Sequence, residues 1–189
     1  MVDVRGYKMG KGQLRKYFYM PLIKLFATIL LSLIVGVVLF PITKDNVFEV
    51  ATIALAVVFL KRLLPFLVIA IRHIRISNGV SFSIDKSSGK YRYCQGSTTL
   101  LFDSNQIKKV VKVVSPPKFD NRFDLLGFGD FFYWKITLTD NKMIAISCLV
   151  LDIENFFGMY LEQEKKIFVF PPLIQFPDPN IPMNQSDEI

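Results

Sequence analysis

The chain has 189 residues, 51% of them hydrophobic and 21% charged, with a mean hydropathy of +0.36 and a net charge of +7. This apolar content excludes an intrinsically disordered chain, which needs low hydrophobicity and high net charge, and it points to some surface facing lipid. Two cysteines are too few for a disulfide scaffold.

The charge is unevenly placed. Residues 1–75 carry eleven Lys/Arg against three Asp/Glu, and residues 76–189 carry twelve against thirteen. The whole excess therefore flanks the apolar segments of the first 75 residues. A nucleic-acid-binding domain carries its basic face on the folded part, so this distribution argues for membrane topology and against a nucleic-acid partner.

Leu25 to Thr43 is nineteen residues without a charge, between Lys24 and Lys44. As a helix it reaches about 28 Å, close to the ~30 Å hydrocarbon core. It is too long for a signal-peptide core, and Phe40-Pro41-Ile42-Thr43-Lys44 is a poor cleavage site. A second apolar stretch runs from Val47 to Ile71, interrupted by Lys61 and Arg62. Two cations at the centre of a straight span cost about 2.5–3.5 kcal/mol each, so both are expected near the headgroups by snorkelling. The short turn between the stretches demands an antiparallel hairpin, with Thr28, Ser32 and Gly36 facing Ala51, Ala54 and Ala56 as small-residue packing surfaces. Six basic residues precede the spans, four follow, and one lies in the turn, which places both termini in the cytoplasm of an inner-membrane protein. Cys94 and Cys148 are then free thiols in a reducing compartment, and neither they nor the lone His73, set among arginines at a membrane exit, form a metal set.

From about Ile76 the period changes to two. Val80–Asp85 alternates, Lys86-Ser87-Ser88-Gly89 turns, and Lys90–Cys94 alternates again. Thr98–Phe102 and Ile107–Val114 follow as strands, then a long loop over 115–130, a strong strand over Phe131–Thr139, a turn at Asp140-Asn141-Lys142, and a strand over Met143–Cys148. Leu149, Ile153, Phe156, Phe157, Tyr160 and Leu161 share one helical stripe, with Asp152 as an N-cap or first-turn acid. Five prolines between Pro171 and Pro182 make the tail extended.

The alternation "xFxID…GKYxY…LxFxxIKKV", the long loop before "YWKITLTDNKMIAIS" and the final amphipathic helix resemble the bacterial pleckstrin-homology-like (PH-like) domains. Two spans ahead of such a domain are similar to small bacterial membrane proteins, and the resemblance covers about residues 19–162. It implies an α+β fold: a two-helix transmembrane hairpin followed by an antiparallel PH-like β-barrel or sandwich, capped by a C-terminal amphipathic helix. The expected division is a basic tail (1–18), the hairpin (19–75, spans about 22–42 and 47–71), the domain (76–166) and a Pro-rich tail (167–189).

Lys86-x-x-x-Lys90-x-Arg92 on the first hairpin resembles the basic motif with which some eukaryotic members hold phosphoinositide headgroups. Three cations there suit a phosphate, and the plainer reading is a solvated hairpin face. Phe123 to Trp134 is strongly aromatic, and Leu125, Leu126 and Phe128 are candidate partner or membrane contacts unless they fold under the barrel. Lys108, Lys109 and Lys112 read as a solvated strand edge that blocks edge pairing. No GxSxG, HExxH, P-loop or GxGxxG is present. The expectation is a non-enzymatic membrane protein without cofactor or metal, whose PH-like domain is an interaction, sensing or scaffold module. Its partners are membrane lipids and a protein the sequence does not name, with self-association left open. The alternatives are a lipid-headgroup or small-ligand binding module and an accessory subunit of a membrane enzyme or transporter.

Overall fold

The computed structural model describes residues 4–39, 57, 63–120, 130–153, 156–157 and 161–166. Among them, strands β1 (Val4–Lys8), β2 (Val80–Asp85), β3 (Lys90–Gln95) and β4 (Thr98–Asp103) form one antiparallel sheet in that order. Strands β5 (Ile107–Val114), β6 (Phe132–Leu138), β7 (Met143–Ser147) and β8 (Leu161–Lys166) form the second, in the order β7-β6-β5-β8, with β8 parallel to β5. Between β1 and β2 come α1 (Lys11–Leu14), a π-helical turn (Arg15–Tyr19), α2 (Met20–Leu39) and α3 (Leu64–Ser77). A single turn, α4 (Pro116–Phe119), follows β5.

The meander forms because each strand alternates and each turn carries suitable residues. Gly89 and Gly96 sit at φ 66° and 58° in the two hairpin turns, a left-handed conformation that glycine adopts at little cost. The crossing between sheets is a capping box. The Asp103 carboxylate accepts from the backbone N–H groups of Asn105 and Gln106 at 2.9 and 3.1 Å, and the Gln106 side-chain oxygen accepts from the Asp103 N–H at 3.0 Å.

Phe82, Tyr91 and Phe102 of the first sheet stack in series, with ring centroids 5.9 and 5.3 Å apart. Phe157 bridges the sheets, 6.1 Å from Phe82 and 5.4 Å from Trp134. Trp134 is fully buried at the centre of this cluster. Trp134→Ala is expected to cost about 3–5 kcal/mol through the cavity it leaves; urea unfolding of the full-length chain, followed by circular dichroism, measures it.

The six expected strands are present as β2 to β7, but the plan around them differs. Residues 4–8 of the expected basic tail are strand β1, with Tyr7 opposite Phe82. The two helical segments therefore lie inside the domain, between its first and second strands.

Among the described residues no helix is long and apolar enough to cross a membrane. The charge-free run of α2 that lies within them, Leu25 to Leu39, is fifteen residues, about 22 Å. The rest of the first expected span lies outside the described residues. Of the second span, only Val57 and the stretch from Leu63 are described. That stretch continues into α3, which buries Phe66, Ile69, Ala70, His73 and Ser77 against the sandwich. Pro65 starts it from a position where a missing N–H costs nothing. So 64–71 is a docking helix of the domain and not part of a span. His73, expected at a membrane exit, is buried inside the protein.

The expected C-terminal amphipathic helix is also corrected. The Ser147 carbonyl accepts from Val150 and Leu151 N–H groups, and the Ser147 hydroxyl accepts from the Leu149 N–H at 3.2 Å, which makes a turn. Leu149, Val150 and Leu151 are all buried, and three consecutive residues cannot share one helix face. Phe157 still enters the core, but from a turn, and Leu161–Lys166 pairs with β5 as a strand. The candidate partner or membrane contacts Leu125, Leu126 and Phe128 lie outside the described residues, whereas Phe131, Phe132 and Trp134 are core.

Candidate functional site

The site is the junction where the helices meet the sandwich, together with the apolar face that α2 turns outward. At the junction the π turn Arg15–Tyr19 replaces a regular helical turn, the kind of local widening found often at functional positions. It puts Tyr17 into the core, 5.6 Å from the Phe131 ring, while Lys16 stays exposed. The Tyr17 hydroxyl donates to the Asp152 carboxylate, and the Lys16 ammonium bonds both carboxylate oxygens at 2.9 Å. Burial, with Cys148 and Asp152 adding to it, holds the Tyr17 hydroxyl far above the usual phenol range, so it remains a donor. Asp152 thus serves as a tether between helix and sandwich, and not as the helix N-cap the sequence pattern implies.

A second tie runs from α3 to β7. His73 Nδ1 lies 2.8 Å from the Ser147 hydroxyl, and its ring packs 4.9 Å from Phe131. Complete burial pushes the imidazole down to about 3, so it is neutral near pH 7. Burial also pushes the neighbouring Cys148 thiol up to about 12, which makes it inert as a nucleophile. Both helices are therefore locked to the same short stretch, Ser147 to Asp152.

Beyond the junction α2 turns large apolar side chains outward. Ile23, Phe26, Leu30, Leu31 and Ile34 are 53–62% exposed. Pro21 and Leu25 on its other face are buried. Thr28 and Ser32 are exposed too, but their hydroxyls donate to the carbonyls of Lys24 and Thr28 at 2.8 and 2.9 Å, so the helix satisfies its own polar groups. Their expected companions Ala51, Ala54 and Ala56 lie outside the described residues.

Lys86, Lys90 and Arg92 lie on the exposed side of the β2–β3 hairpin. The register sets Lys90 between Asp85 on β2 and Asp103 on β4. Asp85 accepts from the Ser87 N–H and from the hydroxyls of Ser87 and Ser88 at 3.0, 2.5 and 2.7 Å. These bonds, led by the Ser87 hydroxyl, hold its carboxyl down to about 2, so a permanent negative charge sits inside the cation cluster. Of the second basic cluster, Lys108 is exposed, but β5 is flanked by β6 and β8 and Lys112 is buried. Its ammonium lies over the rings of Phe132 and Trp134 at 5.5 and 5.9 Å, which offsets the loss of water. Among the described residues no three His, Cys, Asp or Glu come together as metal ligands.

The sequence pattern missed Tyr17, Ser147 and Asp152 as a set. The one local signal is Tyr17-Phe18-Tyr19, an aromatic triplet between a basic stretch and an apolar one.

Two four-stranded sheets over one aromatic core, with the chain crossing between them at a tight cap, define a PH-like α+β sandwich. The family model described as PH domain matches residues 7–159, and the chain belongs to that family, a class of interaction and lipid-binding modules. The match takes in Tyr7 of β1 and the helices as well as the strands. No curated protein and no solved structure matches the chain.

Proposed function

We propose that this protein is a non-enzymatic, membrane-held PH domain whose helical insert enters the bilayer while the sandwich acts as an interaction platform at its surface. The observation that carries this reading is the outward face of α2. Ile23, Phe26, Leu30, Leu31 and Ile34 have no partner surface among the described residues, and the hydroxyls of Thr28 and Ser32 are satisfied by the helix's own carbonyls. Lipid is the natural solvent for such a face. Lys24 and the Tyr17-Phe18-Tyr19 triplet stand where snorkelling cations and interfacial aromatics belong.

The pairing of β1 with β2 supports a hairpin topology. The chain leaves the sandwich after β1 and rejoins it before β2, so any excursion through the bilayer returns to the side from which it left. In this reading the apolar run 47–60, ended by Lys61 and Arg62, brings it back. The Lys/Arg bias then puts the sandwich and both termini on the cytoplasmic side of the inner membrane.

Phe26→Lys, Leu30→Lys and Ile34→Lys together test the reading, because all three side chains are exposed in the folded chain. At about 2.5–3.5 kcal/mol per cation in hydrocarbon, the triple variant is expected to move from the carbonate-resistant membrane pellet to the supernatant with its sandwich folded. A wild-type chain that stays in solution without detergent overturns the proposal. So does digestion of the C-terminal tail by protease outside whole cells.

The hairpin cations enter this reading as a solvated face whose charge Asp85 and Asp103 offset. Lys90→Ala with Arg92→Ala is expected to change the affinity of the full-length, detergent-solubilised chain for a soluble inositol phosphate by less than about twofold, in line with the small worth of exposed charge pairs. A loss of tenfold or more in a titration would instead establish the hairpin as a headgroup site.

A further inference from the structure

A sheet edge offers a row of backbone donors and acceptors to any strand that reaches it, and folded proteins protect such edges with charge, proline, glycine, bulges or a covering element. Among the described residues the two sheets end in four edge strands, and three of these are protected. β1 carries Arg5, Gly6 and Lys8. β7 lies against α3, through His73 and Ser147 among others. β8 reads LEQEKK, four charges in six residues.

β4 is different. Thr98–Asp103 stands at the end of its sheet, contains no Lys, Arg, Pro or Gly, and pairs with β3 without a bulge. Leu101 is 63% exposed, the highest value of any large apolar side chain among the described residues.

We infer that β4 is the surface through which two copies of this chain associate, pairing antiparallel with itself about Leu101. In that register Leu101 meets Leu101, Leu100 meets Phe102, and Thr99 meets Asp103. Thr99 to Asp103 all find complements within the same strand, and only Thr98 reaches past it, to Ser104 of the other copy, which is why the occupant is a second copy. Leu101 and its twin shield each other on the outer face. Leu100 and Phe102, on the core side, continue the apolar layer across the seam. The Thr99 hydroxyl faces the Asp103 carboxylate as donor to acceptor. Shifting the register by one residue would set Leu101 against Leu100, which point to opposite faces. No like charges oppose at the seam. Arg92 lies beside Leu101 on β3, so the two Arg92 residues stand three strand spacings apart, about 14 Å, beyond the ~8–10 Å screening length.

The test places a cysteine on the two-fold axis. In the full-length chain, with Cys94→Ser to remove the partly exposed native thiol, Leu101→Cys is oxidised mildly in detergent micelles. Residues directly opposite in such a pair are about 4.5–5.5 Å apart at Cα, within disulfide range. A disulfide-linked species of twice the chain mass is expected. Thr99→Cys serves as the control, because its two copies would lie about 13 Å apart along the strands, and it is expected to stay unlinked. Leu101→Lys sets like charges directly opposite and is expected to raise the dissociation constant of the pair on the order of tenfold, with the near-ultraviolet signal of Trp134 unchanged. Failure of Leu101→Cys to link, equal linking by Thr99→Cys, or linkage to a polypeptide of another mass each overturns the inference. None of these readouts depends on whether α2 enters a bilayer.

Discussion

Deletion of residues 1–8 is expected to abolish the folded sandwich, although the segment contributes only one five-residue strand. Its loss exposes the edge of β2 along five paired positions. It also removes Tyr7, whose ring packs 6.4 Å from Phe82 and 5.6 Å from Phe156. A half-buried aromatic and a strand's hydrogen bonds together come to about 5 kcal/mol, comparable with the whole 5–15 kcal/mol stability of a typical domain. The same logic predicts that a fragment beginning at residue 76, which lacks β1 and all but the last two residues of α3, does not fold. Limited proteolysis of the truncated chain beside the full-length one measures both. A truncated chain as resistant as the intact one would show that β1 is decoration.

The second large effect is on acid stability. His73 titrates near 3 in the folded chain because it is wholly buried, against about 6.5 when unfolded. Below pH 6.5 the unfolded chain takes up a proton that the folded chain refuses. The stability of the native state is therefore unaffected by this group above pH 6.5, and it falls at up to about 1.4 kcal/mol per pH unit as pH drops toward 3. His73→Gln keeps a polar partner for Ser147 and does not titrate. Its urea midpoint, followed from pH 7 to pH 4, is expected to decline less steeply than that of the parent chain. Parallel profiles would mean that His73 carries a proton in the native state.

β2 to β7 are legible in the sequence because each is a run of alternating residues bounded by turn formers such as Lys86–Gly89 and Asp140–Lys142. β1 is not. VRGYK has a glycine at its centre and two cations, and its partner lies beyond two helices, so nothing local distinguishes it from a basic tail. β8, LEQEKK, shows no alternation because charge dominates it. The stripe from Leu149 to Leu161 has helical spacing, yet Ser147 makes a turn and three consecutive buried residues follow, a packing demand that spacing alone cannot express. The junction was hidden for a related reason: Tyr17 and Asp152 are 135 positions apart, and only the fold brings them together. Lys86, Lys90 and Arg92 were visible as a cluster. The carboxylates beside Lys90 became visible with the register, since Asp103 neighbours it only across strands.

The placement of β1 also bears on how the protein is made. Its partner strand leaves the ribosome some seventy residues later, which at about 5–20 residues per second is a wait of roughly 4–14 s. Throughout that interval the nascent chain presents its oily helices while the strand that closes the sandwich is still being synthesised. If the helices enter a bilayer as proposed, they do so while the strand that closes the sandwich is still to come.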